Sequence, residues 1–198
     1  MAVYKDIRYG NSGAIGSDFG EAFLQSLTAS SSNSLSFTTG IDTTFKIYRF
    51  RFINIHPSDN ATRLKYNFSV DGGSNYNVAK TTISYQAYHA ESDSGTGLVY
   101  ETGTDLAEGT GSQFMGGDIS NANDASMSGD LILYNPGSTT FQKHVVCECA
   151  SLTNGEYATF HHTGSGYANT TSAIDAVQFT MSTGTIDSGI IEMYGIKT

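Results

Sequence analysis

A chain of 198 residues with 10 basic and 19 acidic residues has a formal net charge of −9 and lacks the cationic stripe that phosphate binding needs, which argues against a nucleic-acid partner. Two cysteines, no tryptophan, 22 glycines, 12 tyrosines and 11 phenylalanines fit a loop-rich all-β protein with aromatic packing and no disulfide framework. The opening MAVYKDIRYGNSG has no apolar h-region and no run of 18 apolar residues occurs, so neither a secretory signal nor a membrane span is expected, and the length suits one domain.

Residues 1–20 read as an irregular N-terminal arm, followed by a single β-sandwich domain over 21–198. The even spacing of Gly10, Gly13 and Gly16 is not a dinucleotide fingerprint. Glu21 to Thr28 reads as a strand, with a short helix as the alternative by composition. A polar turn at Ala29–Asn33 leads to a second strand, Leu35–Thr38, and Gly40 breaks the chain. From Ile41 to Asn75 two long strands follow. Tyr48, Phe50 and Phe52 share one face against Arg49 and Arg51. Leu64, Tyr66, Phe68 and Val70 alternate with Lys65, Asn67, Ser69 and Asp71. His56–Asn60 between them is turn chemistry, so an antiparallel hairpin at the centre of the sandwich is expected.

Asn77 to Tyr88 reads as another strand, with Ile83, Tyr85 and Ala87 on one face. Residues 91–130 then carry eight acids, eight glycines and no Lys, Arg or His. They read as a long acidic, Gly-rich loop excursion with one short strand at Leu98–Tyr100. Alternation resumes at Leu131–Tyr134, with turns at Asn135–Ser138 and Gly164–Gly166. Strands are expected at Phe141–Ala150, Tyr157–His161, Ala176–Met181 and Ile190–Ile196. About eight to ten strands between turn signals predict an antiparallel, jelly-roll-like β-sandwich.

Chemistry-bearing clusters are few. Cys147-Glu148-Cys149, with His144, His161 and His162 nearby in sequence, invites a metal reading. Zinc sites pair cysteines two to four residues apart and need a second pair, so core packing explains the motif better. No G-x-S-x-G elbow anchors a Ser-His-Asp triad. The acids of 91–130 sit in glycine-rich loops and read as solvated charge, without an EF-hand or nonapeptide calcium pattern. No catalytic residue, metal or cofactor is therefore assigned. Five of the ten basic residues lie between Lys46 and Lys65. Among them Arg49, Arg51, Arg63 and Lys65 are the candidate interface. One reading pairs them with acids across strands. The other makes them a cationic patch that docks onto residues 91–130 of a second copy, giving a head-to-tail or cyclic homo-oligomer.

Several blocks carry a resemblance: Leu35-Ser36-Phe37-Thr38, Ile41-Asp42-Thr43-Thr44, Ile53 to Asp59 (INIHPSD), Tyr85 to His89 (YQAYH), Thr171 to Phe179 (TSAIDAVQF) and Ser188 to Lys197 (SGIIEMYGIK). Together, over residues 24–198, they resemble virion structural proteins of tailed bacteriophages. The resemblance implies a jelly-roll-like sandwich on the outside of a phage particle, made in the host cytoplasm, and no enzyme. Three roles compete within it: a capsid decoration or cement protein, a tail or head-fibre module meeting the host surface, and a glycan-binding or glycan-cleaving module. The short chain, without heptads or collagen-like repeats, favours the first. The implied partners are other virion proteins and copies of the chain itself, with a host glycan as the alternative.

Overall fold

The computed structural model describes residues 20–153 and 158–197. All but the last residue of the expected arm lies outside them. Twelve strands follow in chain order: β1 (Gly20–Thr28), β2 (Leu35–Phe37), β3 (Ile47–Pro57), β4 (Thr62–Ser69), β5 (Lys80–Ala90), β6 (Thr96–Tyr100), β7 (Gln113–Ile119), β8 (Met127–Tyr134), β9 (Lys143–Leu152), β10 (Ala158–Ala168), β11 (Ala176–Met181) and β12 (Ile186–Lys197). They form an eight-stranded sheet in the order β1-β12-β3-β8-β9-β10-β5-β6 and a four-stranded sheet in the order β2-β11-β4-β7. Every pairing is antiparallel, and the two sheets pack face to face as a β-sandwich.

The periodicity of two predicts the buried faces well. Tyr48, Phe50 and Phe52 of β3 are buried, as are Leu64, Tyr66 and Phe68 of β4 and Val177, Phe179 and Met181 of β11. Phe179 is the hub. Its ring meets Phe37, Phe50 and Phe52 edge to face at 6.2, 5.5 and 5.2 Å, tying the sheets together.

The expected central hairpin does not form. β3 pairs with β12 and β8, whereas β4 pairs with β11 and β7. The turn after Pro57 carries the chain from the large sheet to the small one. Alternation reports which face is buried, not which strand is bonded alongside. Two apolar faces joined by a short turn can cover each other only by lying in opposite sheets. Ala61 takes a left-handed φ of 55° in this arch, and Asn121 Nδ2 donates to Ser58 O at 3.1 Å.

Residues 91–130 are not one loop excursion. They contain β6, all of β7 and the start of β8. β7 was hidden by Gly116-Gly117, where a bulge breaks the alternation: Leu64 faces Met115, but Thr62 faces Ile119. Gly164-Ser165-Gly166 is not a turn either. It lies inside β10, between β5 and β9. A Cβ on Gly166 would come within 2.8 Å of Thr82 Cα, so glycine here permits close strand approach.

β5 inverts the expected amphipathicity. Lys80, Thr82, Ser84 and Gln86 point inward and are buried, while Ile83 and Tyr85 lie on the open face. Most of these inward groups are satisfied locally, the buried Gln86 Oε1 being the exception. Thr82 Oγ1 donates to Gln113 Oε1 at 2.6 Å, and Gln113 Nε2 donates to Thr104 O at 2.7 Å. Thr104 Oγ1 in turn donates to Ser84 Oγ at 2.9 Å. One end of the sandwich is thus aromatic and the other polar.

Candidate functional site

The outer face of the large sheet carries the exposed chemistry. Register places Ile83, Ser165, Val146, Ile132, Arg49, Tyr194 and Phe23 in one line across seven strands. At the β6 edge Leu98 is 74% exposed and Tyr100 49%, and at the β1 edge Phe23 is 58% exposed. Among the described residues, large apolar groups stand out of the large sheet at both edges.

Beside the β1 edge lies a charged clamp. Arg49 holds Asp130 in a bidentate pair, with Nε to Oδ1 at 2.7 Å and Nη2 to Oδ2 at 3.1 Å, and its Nη1 reaches Glu21 at 2.6 Å. Arg51 also contacts Glu21 at 3.4 Å and stacks over the Tyr194 ring at 5.0 Å. Arg63 and Lys65 are elsewhere, on β4 of the small sheet. Arg63 Nε donates to Asp118 Oδ1 at 2.6 Å and pairs with Glu101 at 3.5 Å, and Lys65 lies 5.9 Å from the Phe114 ring centre. The four candidate interface residues therefore do not form one patch, because their two strands belong to different sheets. All three arginines are paired with acids of their own chain.

A transverse trough crosses the same outer face at the end nearer the β3–β4 arch. Ser128, Ala150, His161 and Ala87 form one cross-strand row over β8, β9, β10 and β5. Small side chains in register leave a depression. It widens into three hollows of about 260, 190 and 200 Å³, the first two sharing Ser126 and the last two sharing Thr159. From β12 to β5 five strand spacings make it roughly 24 Å long. The largest hollow is lined by Asn54, His56, Asn123, Asp124, Ser126 and Ser188. Its shape comes from a double irregularity. Asn54 has a left-handed φ of 50°, and Gly189 opposite has φ +115°, where a Cβ would lie 2.6 Å from Asn54 O. His56 Nδ1 donates to Ala125 O at 2.8 Å, which leaves Nε2 as an acceptor in the neutral ring. His161 and His89 hold Glu148 and Asp93 at 3.3 and 3.1 Å. The lining offers hydroxyl, amide, imidazole and one carboxylate, with no lysine or arginine.

The sequence reading missed this trough, because its residues are ordinary serines, alanines and threonines. Only the strand register brings them together.

Ser84 Oγ lies 3.4 Å from His162 Nε2, but both residues are buried. His162 Nδ1 has no hydrogen-bond partner, so no carboxylate orients the ring. Burial first, then the charges of Arg63 and His161, pushes the imidazole down to about 4. Substrate has no path to this pair. Cys147 and Cys149 are free, buried and on one inner face. Burial raises the Cys147 thiol to about 12. Among the described residues no three of His, Cys, Asp and Glu converge as a metal centre. His161 and His162 point to opposite faces, the first exposed and the second buried.

Compared with known proteins, the sequence matches no protein-family model and no curated protein.

Proposed function

We propose that the chain is a non-enzymatic structural protein on the outer surface of a tailed-phage virion, a jelly-roll-like capsid decoration or cement protein. It seats on a neighbouring virion protein through the outer face of the large sheet. The observation that carries this reading is the exposed apolar set of Phe23, Ile83, Tyr85, Leu98 and Tyr100 on an otherwise hydroxyl-rich protein. The paired charges of Arg49 and Asp130 lie on the same face between the two apolar edges and give it a polar centre that can fix orientation. Many copies on a symmetric lattice add avidity, so each contact can be weak.

A second reading, a fibre module that meets a host glycan, draws on the trough. Its hydroxyl-rich lining, with one carboxylate and no lysine or arginine, matches a saccharide better than an anionic polymer.

Immunogold labelling of intact particles with an antibody to this chain separates the two. Label spread over the head supports decoration. Label confined to the tail tip or collar overturns it in favour of the fibre reading.

A further inference from the structure

Lys80 is fully buried, and its amine has no carboxylate partner among the described residues. Nζ donates to Val78 O at 2.7 Å and to Asn67 Oδ1 at 2.5 Å. Asn67 is itself 3% exposed. With a C=O bond of about 1.23 Å, the amine nitrogen lies no more than about 3.7 Å from Asn67 Cγ, close to the range of a near-attack contact. The amide is held on every other side. Phe68 N–H donates to Oδ1 at 2.9 Å, and Nδ2 donates to Tyr76 O at 2.6 Å and Thr110 O at 3.1 Å.

We propose that Lys80 and Asn67 join in an intramolecular isopeptide bond, which welds β5 of the large sheet to β4 of the small one. The Nζ lone pair forms the new bond to Cγ and the Cγ–Nδ2 bond breaks. The proton shed by Nζ leaves with Nδ2 as ammonia, and nothing is oxidised or reduced. Phe68 N–H steadies the oxyanion of the tetrahedral intermediate. The carbonyls of Tyr76 and Thr110 hold the departing nitrogen. Burial brings the Lys80 amine down to about 8, so a neutral, nucleophilic fraction exists near neutral pH. Lys143 lies on the same cross-strand row, beyond Ala168. With no carboxylate at the pair to shuttle the proton, the rate rests on proximity, where effective molarities reach about 10⁵–10⁸ M. The bond therefore accumulates with the age of the folded protein. This inference does not depend on the virion reading.

Intact-mass spectrometry of the full chain tests it, on fresh protein and after prolonged storage at mildly alkaline pH. The expected result is a growing species lighter by one ammonia, whose digest yields a branched peptide joining Asn67 to Lys80. Lys80→Arg keeps a cation without the nucleophile, and Asn67→Leu removes the electrophile; neither yields the branched peptide. Lys143→Arg still yields the branched peptide, because among the described residues Lys143 Nζ donates to the backbone carbonyl of Thr170 and not to a side-chain amide. An unchanged mass in aged protein overturns the proposal. So does ammonia loss confined to a linear peptide, the mark of an asparagine cyclising on its own backbone.

Discussion

His162 is a base placed where its charged form has no counter-ion. Its folded-state affinity for protons is depressed to about 4 from 6.5, so the unfolded chain binds more protons between those values. Stability is full above pH 6.5 and falls as pH drops towards 4, by on the order of 3 kcal/mol. Urea midpoints measured across that range should show the loss, and His162→Gln should flatten it. The sequence announced half of this. Adjacent histidines in a strand face opposite ways, so the sequence allowed one of His161 and His162 to be buried and the other exposed. It could not announce the partners, because Ser84 and Arg63 arrive from other strands. Asn54 is a second residue-scale case. Gly189→Ala puts a Cβ into the Asn54 backbone at a left-handed φ, and should cost more than about 1 kcal/mol. A thermal melt reads the loss.

Individual strands were legible where alternation was clean and failed where glycine interrupted it. β3, β4, β9 and β11 could be read from sequence because every second side chain is apolar, and the two-residue bulge of β7 erased that signal. Strand partnership was not legible at all, since the same alternation serves a hairpin and an arch equally. The arch makes Phe179 an inter-sheet hub, and Phe179→Ala should cost about 3–5 kcal/mol in chemical denaturation. The Arg49–Asp130 pair is partly exposed and bidentate, so a double-mutant cycle should return a coupling of about 1 kcal/mol that shrinks with added salt.

For the whole molecule, composition alone pointed to an all-β protein, and two packed antiparallel sheets bear that out. The exposed face could not be foreseen, because Ile83 and Tyr85 look like core residues until β5 is seen to turn Lys80, Thr82, Ser84 and Gln86 inward. If that face seats on a particle, Leu98→Asp combined with Tyr100→Asp should leave stability within about 0.5 kcal/mol of the parent. The same variant should show reduced occupancy on purified virions by quantitative immunoblot. Retained occupancy would move the docking surface elsewhere.

The order of strands within the sheets also sets when the protein can fold. β12 lies between β1 and β3, and β11 lies between β2 and β4. The first four strands thus leave the ribosome without a partner that completes them: the small sheet stays open until β11 has emerged, and the large sheet until the 12-residue β12 has. Pairings this distant in sequence make for slow, late closure. Nascent chains arrested before Ile186 should remain protease-sensitive at β1 and along β3, and release of β12 from the exit tunnel should protect these two strands together.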